Sequence, residues 1–270
     1  MAQLKSLSKF KLSLIAIALV ALMNSCGNWS KNLNIFPVEK DVELGFQVAT
    51  SFEDQNKSII LDSAQNAFAY QYLYSVRDSI LKNNQLEYET AFSWRIRIIK
   101  DDTTLNAFCA PGGFIYFYTG ILKYLESEDQ LAGVMAHEMA HADKRHSTDA
   151  MTREFGAQLL LDLVFGQGKG QLARIATGVA NLSYGREAEK ESDEFSVRWL
   201  YNTSYNPVGG AGFFEKMQKQ GQGVKIPEFL STHPSSDSRI ADMKKVWTTL
   251  GGKTGNTYQT RYQSFVKKLN

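Results

Sequence analysis

The segment His137-Glu138-Met139-Ala140-His141 constrains this chain of 270 residues more than any other, because it places two imidazoles and a carboxylate on one predicted helix. Residues four apart project from the same face of a helix, so His137 and His141 can hold one cation between them. Glu138 is rotated away from that face and is suited to take a proton from an attacking water. The spacing is that of the H-E-x-x-H zinc signature. The alternative is a pair of ordinary helical histidines beside a solvent-facing glutamate.

The helix that carries this motif is predicted from its own flanks. Ser127, with Gln130 three residues later, forms a capping-box pattern, and the helix is predicted to run to about His146. Apolar side chains recur along it at spacings of three and four residues, at Leu131, Val134, Met135, Met139 and Ala142. The predicted metal site therefore rests on a rigid element.

The third ligand has to come from another part of the chain. Only two further histidines are present, His146 and His233. The longer H-E-x-x-H-x-x-G-x-x-H pattern is excluded, because Lys144 and Ser147 stand where it requires glycine and histidine. On a continuous helix His146 would lie on the face opposite His137, so we expect it at the helix end or on the surface.

An acidic segment over residues 184–195 is the obvious source of a carboxylate ligand. Glu189 and Asp193 are four residues apart and share a helix face, whereas Glu191 points nearly the other way. One helix can therefore provide a ligand together with a second carboxylate, Asp193, that accepts a hydrogen bond from the outer nitrogen of a ligating histidine. The alternative is a solvated charged face, which such segments usually form.

Four segments of this chain resemble, in sequence and in their order along the chain, a family of zinc metallopeptidases. That family includes the CAAX prenyl protease, the heat-shock protease HtpX, the mitochondrial Oma-type protease and small periplasmic lipoprotein members. The matching segments are Asn106-Ala107-Phe108 with Pro111-Gly112-Gly113, the H-E-x-x-H motif, Glu189 to Asp193, and Thr232-His233-Pro234 with Arg239-Ile240. Ser192 and Gly185 replace the family's usual alanine and serine, and both are small. The resemblance extends from about Val38 to Thr248.

The resemblance implies a role for each matched residue. Glu189 is the implied third zinc ligand beside His137 and His141. His233 is implied to lie near the metal, where it stabilises the oxyanion or fills the open coordination position. Arg239 is expected to be an ion-pair partner rather than a catalytic group. The implied fold is α+β and mainly helical, a gluzincin-type domain with a small β-sheet beside the active-site helix.

Strands are predicted between Glu87 and Tyr118, within a chain whose other elements are mainly helical. The predicted helices cover residues 38–51, 63–83, 121–125, 148–183 with a break at 166–170, 210–220 and 239–250. Gly112-Gly113 leads into an apolar strand from Phe114. As an edge strand it would bind an extended or unfolded polypeptide through main-chain hydrogen bonds, which makes Asn106, Gly113 and Phe114 candidate substrate-binding residues. The residues favour equally a core hairpin with the strand that contains Trp94, Ile96 and Ile98.

The amino terminus predicts export. Three lysines among the first eleven residues precede an apolar stretch that is too short to span a membrane. This stretch ends in a sequence that resembles a bacterial lipobox, so we expect Cys26 to be lipidated and to anchor the protein to the membrane. An uncleaved signal anchor and an ordinary signal peptide are the alternatives. The predicted organisation is a lipoprotein signal peptide (1–25), a tether (26–36), a zinc metallopeptidase domain (37–250) and a C-terminal tail (251–270).

Composition narrows the function further. Net charge is +2 with both signs mixed throughout, which indicates no nucleic-acid surface. With Cys26 lipidated, Cys109 has no disulfide partner. From the lipobox resemblance we expect a protein of the bacterial cell envelope that is lipid-anchored at the periplasmic face of the outer membrane.

Two functions are compatible with these patterns. The first is a Zn²⁺-dependent endopeptidase that cleaves unfolded or misassembled proteins by metal-activated water, with Glu138 as the base. The second is a latent or inactive zinc-binding, chaperone-like module in which His233 closes the site. A structural zinc has four protein ligands, whereas a catalytic zinc keeps one position open.

Overall fold

The computed structural model describes residues 36–219, 228–234 and 238–269. The predictions for the signal peptide, for Cys26 and for most of the tether lie outside these residues. No helix among the described residues combines the length and the apolar character that a membrane span requires.

The described part of the chain is mainly helical with one small sheet, as predicted. The strands are β1 (Arg95–Ile99), β2 (Ala107–Ala110) and β3 (Phe114–Tyr118). The helices are α1 (Val38–Gln55), α2 (Ala67–Lys82), α3 (Thr119–Tyr124), α4 (Glu128–Asp143), α5 (His146–Phe155), α6 (Ala157–Val164), α7 (Lys169–Gly178), α8 (Arg186–Tyr201), α9 (Gly209–Lys219), α10 (Glu228–Thr232), α11 (Arg239–Thr249) and α12 (Gln259–Val266). The region predicted as one interrupted helix over 148–183 has a further break at Gly156, whose φ of 84° ends α5.

The sheet has the order β1-β3-β2, so β3 is its central strand. It pairs in parallel with β1 and antiparallel with β2. The edge-strand prediction for the segment from Phe114 is therefore wrong. The central position of β3 removes the reason for assigning a substrate-binding role to Gly113 and Phe114. Phe114 is buried, and a Cβ on Gly113 would lie 3.0 Å from the main-chain nitrogen of Trp94.

The hairpin prediction named the wrong partner strand for β3. The antiparallel hairpin joins β2 and β3, not β3 and the strand with Ile96 and Ile98. Gly112 and Gly113 form its turn with φ values of 73° and 78°, a conformation that glycine adopts without steric cost.

Helix α4 is buried along its entire length, from Glu128 to Asp143. A helix that is buried on all sides lies inside the core rather than on its surface. Gly133 allows α9 to approach closely, because a Cβ there would lie 2.3 Å from the main-chain nitrogen of Gly210. The capping-box prediction was wrong in detail, since the Ser127 hydroxyl donates to Asp129 and Gln130 Oε1 accepts from the main-chain nitrogen of Glu126.

The helical conformation is interrupted immediately after α4. Arg145 adopts a left-handed conformation with φ 60° and ψ 23°, and a new helix begins at His146. The Arg145 guanidinium donates to both carboxylate oxygens of Asp41 on α1, at 2.6 and 3.0 Å. Of the two positions expected for His146, the surface is wrong, because its side chain is buried. It does lie at a helix end, as the first residue of α5.

The C-terminal tail docks on the start of α4. Arg261 on α12 pairs with the buried carboxylate of Glu128, which also accepts from the hydroxyls of Tyr72 and Tyr205. The ring of Phe265 stacks on Tyr72 with a centroid distance of 4.1 Å. The tail thus packs against the helix that carries the H-E-x-x-H motif.

Candidate metal centre and active site

Helix α4 brings the two motif histidines together in a buried position. The Nε2 atoms of His137 and His141 are 3.0 Å apart, and both side chains are shielded from solvent. This proximity follows from their spacing of four residues on one helix.

Glu189 on α8 faces the two imidazoles. Its Oε2 lies 3.5 Å from His137 Nε2, and its Oε1 lies 3.4 Å from His141 Nε2. Glu189 and Asp193 are buried, whereas Glu187 and Lys190 of the same helix are exposed. The solvated-face alternative therefore describes only the outer side of α8.

The outer nitrogen of His137 meets a carboxylate. His137 Nδ1 lies 3.0 Å from Asp193 Oδ1. Asp193 also accepts two hydrogen bonds from Arg239, at 2.7 and 2.6 Å. A further guanidinium nitrogen of Arg239 lies 2.9 Å from Glu189 Oε2. Arg239 is thus an ion-pair partner of both acidic residues.

The outer nitrogen of His141 meets another histidine. His141 Nδ1 lies 3.2 Å from His146 Nδ1. On its other side, His146 Nε2 lies 3.1 Å from Glu191 Oε2, and the side chain of Glu191 is 47% exposed. The hydroxyl of Ser192 also lies 3.2 Å from His146 Nδ1.

His233 lies inside the same cluster. It follows α10, donates its main-chain N–H to Phe229 O at 2.8 Å, and is completely buried. Its Nδ1 lies 3.0 Å from Glu189 Oε1 and 3.3 Å from His137 Nε2. His137, His141, Glu189 and His233 each offer one ligand atom, and these four atoms all lie within 4.8 Å of one another.

Glu138 stands beside the cluster without a hydrogen-bond partner. Its carboxylate is completely buried, and neither oxygen is hydrogen-bonded within the described residues. His233 Nε2 lies 3.3 Å from Oε1 but outside hydrogen-bond geometry. Burial raises the pKa of Glu138 above 4.5, although His233 and His137 oppose the shift. An unpaired buried carboxylate is costly, so its presence here indicates a function.

A family comparison decides the affiliation of the chain. The model of peptidase family M48 matches residues 67–246. The protein belongs to peptidase family M48. It is therefore a member of a metalloprotease family, which confirms the resemblance seen in the sequence motifs.

Relatives of this M48 protein include proteases of two kinds. It is 34% identical over 156 residues to mitochondrial metalloendopeptidase OMA1 of Schizosaccharomyces pombe, covering 56% of this chain and 46% of that protein. The match to OMA1 of Saccharomyces cerevisiae has 30% identity over 190 residues, or 67% of this chain and 54% of the relative. The beta-barrel assembly-enhancing protease of Escherichia coli is 31% identical over 156 residues, which cover 52% of this chain and 32% of that protein. The matches thus cover about half or less of these relatives' length.

The residues of this M48 site fit a divalent metal. M48 metallopeptidases are zinc-dependent. Two imidazole nitrogens and one carboxylate oxygen form a donor set typical of catalytic zinc, and they converge beside the unpaired Glu138. The family and the donor chemistry therefore agree.

The surrounding charges place the two histidines in different protonation states. Burial lowers the pKa of His137, but Asp193 and Glu189 outweigh it and raise the pKa to about 9. Burial holds the pKa of His141 well below 6.5, although Glu189 opposes that shift. Histidine ligates metals in its neutral form, so a cation that binds here displaces a proton from His137.

The two acidic residues are held in their charged forms. Burial raises the pKa of Glu189, but His233, His137 and His141 reverse this and bring it well below 4.5. Burial likewise raises the pKa of Asp193, and the neighbouring His137 and the hydrogen-bonded Arg239 lower it below 3.8. Both carboxylates are therefore ionised at neutral pH.

Two residues at this site were missed from the sequence, His146 and Tyr184. The Tyr184 ring stacks on His141 with a centroid distance of 3.8 Å, and its hydroxyl lies 3.2 Å from Ser147 Oγ. No short motif marks either residue. Asn106, predicted to bind substrate, is buried, and its Oδ1 accepts from the Thr232 hydroxyl at 3.4 Å. Asn106 thus ties the start of β2 to the residue before His233.

Proposed function

We propose that this M48 protein is a zinc-dependent endopeptidase in which His137, His141 and Glu189 hold the metal and Glu138 is the general base. One observation carries the proposal. Glu189 comes from a different helix, 48 to 52 positions along the chain from the two histidines, and still lies within 3.5 Å of both imidazoles. Solvated charged residues have no reason to converge in this way.

The chemistry is divided between the metal and the protein. Zinc, when bound, acts as a Lewis acid that polarises the peptide carbonyl and acidifies the attacking water. Glu138 accepts the proton of that water and returns it to the leaving amine. Because burial raises the pKa of Glu138, its carboxylate is a stronger base than an exposed glutamate. His233 lies 3.3 Å from Glu138 and can donate a hydrogen bond to the oxyanion.

The test of the base is Glu138→Gln in the full-length protein. We expect this variant to retain zinc and to cleave casein about 10²- to 10⁴-fold more slowly, which is the usual contribution of a general base. The matched control is Glu187→Gln, since Glu187 is an exposed glutamate on α8. Cleavage by Glu138→Gln at the wild-type rate would refute the assignment.

The proposed substrate is an extended or unfolded polypeptide that is recognised through its main chain. Within the described residues β2 is the edge strand beside α4. Two main-chain acceptors in and beside β2 are already occupied: Cys109 O accepts from Ser147 Oγ, and Leu105 O, two residues before the strand, accepts from Phe229 N. A substrate strand that pairs with β2 and extends back to Leu105 would have to displace Phe229, and with it the segment that carries His233.

This occupation of the acceptors favours a second candidate, a latent module in which His233 closes the site. His233 offers a fourth protein donor within 4.8 Å of the other three, as a closed zinc site requires. His233→Ala separates the two functions, because it raises chelator-sensitive cleavage if His233 closes the site and lowers cleavage if it stabilises the oxyanion. Glu138→Ala combined with His233→Ala is the control and should be inactive in either case.

We also propose that the protein is attached through lipidated Cys26 to the periplasmic face of the outer membrane. The lipobox-like sequence before Cys26 supports this location, as does the likeness to proteins named beta-barrel assembly-enhancing protease. Labelling of cells with a radioactive fatty acid tests the anchor. Wild type should incorporate label and fractionate with the outer membrane, and Cys26→Ser should do neither. Equal labelling of both would exclude lipidation at this residue.

A further inference from the structure

A series of side-chain contacts leads from His141 to the protein surface, and the function proposed above does not account for it. It consists of His141, His146 and Glu191, whose facing atoms are separated by 3.2 and 3.1 Å. His146 is buried, yet it belongs to neither the proposed ligands nor the proposed base. A buried histidine between a ligand candidate and an exposed carboxylate calls for an explanation.

Ligation through His141 Nε2 determines the hydrogens along this chain. If Nε2 presents its lone pair to a cation, then Nδ1 of His141 carries the proton and donates a hydrogen bond to Nδ1 of His146. Nδ1 of His146 is then the acceptor, so its Nε2 carries a proton and donates to Glu191. The acceptor, Nδ1 of His146, also faces the Ser192 hydroxyl at 3.2 Å, which can share it.

Two parts of the fold hold His146 in place: the α4–α5 junction at Arg145 and helix α8. The left-handed Arg145, anchored by Asp41, sets the direction in which α5 leaves α4. Helix α8 contributes Glu191 and Ser192 from the same turn that presents Glu189 and Asp193. One helix therefore supplies a ligand candidate, the partner of His137 and the supports of His146.

We propose that His146 is a positioning residue for zinc, which fixes the tautomer and ring orientation of His141 and is itself oriented by Glu191. The inference rests on the proposed ligand role of His141. Partners of this kind typically contribute 10- to 100-fold in metal affinity. Here the usual carboxylate or carbonyl is replaced by the imidazole nitrogen Nδ1 of His146.

The test compares two substitutions at one position in the full-length protein. His146→Leu fills the space but offers no acceptor, whereas the amide oxygen of His146→Asn stands near the position of Nδ1. Zinc affinity is measured with Zn²⁺ alone, in competition with a fluorescent chelator. We expect His146→Leu to bind zinc about 10- to 100-fold more weakly than wild type, and His146→Asn to recover most of that loss. A purely structural role predicts no such difference between two variants that both fold.

A surface variant extends the test in case His146→Leu does not fold. Glu191→Ala removes an exposed side chain and is expected to weaken zinc binding several-fold, on the order of the lower end of that range. Glu187→Ala is the matched control on the same helix and should bind as wild type does. Wild-type affinity in both His146→Leu and Glu191→Ala would overturn the proposal, as would an equal loss in His146→Leu and His146→Asn. Absence of zinc binding by wild type would instead overturn the proposed function.

Discussion

The two motif histidines sit one turn apart on α4 but face different surroundings. His137 meets Asp193, which is locked to Arg239 in a buried ion pair. His141 meets His146, which leads to the half-exposed Glu191. The contacts on the His137 side thus end in a buried ion pair, and those on the His141 side end in a carboxylate that is exposed to solvent.

This difference shows that the identity of a ligand does not fix its properties. Asp193 and Glu189 raise the pKa of His137 to about 9, whereas burial holds the pKa of His141 on the same helix well below 6.5. A buried charge pair is rigid, and breaking it leaves an uncompensated charge in the interior. An exposed carboxylate is screened by water and contributes less. The His137 side should therefore carry most of the stability of the site.

Loss of Glu189 should have the largest effect, because this residue contacts both sides. We expect Glu189→Ala to lose its zinc during dialysis against a weak chelator, since only two donors from the proposed ligand set remain. Metal content measured by inductively coupled plasma mass spectrometry is the readout. Glu187→Ala is the control and should keep the wild-type content. Full zinc occupancy in Glu189→Ala would eliminate the proposed ligand set.

Removal of Arg239 should be the next largest effect. The Arg239→Met substitution removes the guanidinium that pairs with both Asp193 and Glu189 in the interior. We expect the free energy of unfolding to fall by about 3–5 kcal/mol, the usual cost of breaking a buried ion pair. Urea unfolding of the chelator-treated protein measures it. A loss below about 1 kcal/mol would mean that the pair behaves like a surface salt bridge.

Asp193→Asn should have an intermediate and pH-dependent effect. We expect a loss of about 1.5–3 kcal/mol at neutral pH, typical of hydrogen bonds to a charged group. The pKa of Asp193 is lowered on folding, so its charged form stabilises the protein above the ordinary value of 3.8. That stabilisation disappears as the pH falls through the lower folded pKa. Urea unfolding at a series of pH values should show the two proteins converging in acid, and a constant difference would contradict this.

Glu191→Gln should have the smallest effect on stability. Its partner is buried, but its own side chain is 47% exposed, so we expect the free energy of unfolding to change by less than about 1 kcal/mol. The same urea titration measures this change. A loss as large as that of Arg239→Met would erase the contrast between the two sides.

Much of this architecture was accessible from sequence patterns. The mainly helical fold, the positions of most helices and the M48 affiliation were predicted correctly. The sheet order was not, because strand pairing depends on contacts between distant segments and short apolar strands do not encode their neighbours. The docking of α12 on Glu128 also had no local signal.

His146 shows most clearly where prediction from sequence failed. A continuous helix would have carried it to the far side of α4, and nothing in the local sequence predicts the left-handed Arg145 that interrupts the helix. That conformation is unfavourable for a residue with a Cβ and is held by Asp41, 104 positions away. The error therefore comes from a tertiary contact that overrides local helical preference.

The sequence by itself determined the pairing of His137 with His141 and of Glu189 with Asp193, because a spacing of four residues on a helix is a local geometric property. It also placed Glu138 beside the two imidazoles. Tertiary structure decided that α8 faces α4, that His233 joins the cluster from 96 positions beyond His137, and that His146 supports His141. These contacts depend on how buried helices pack, and packing is a property of the folded core as a whole.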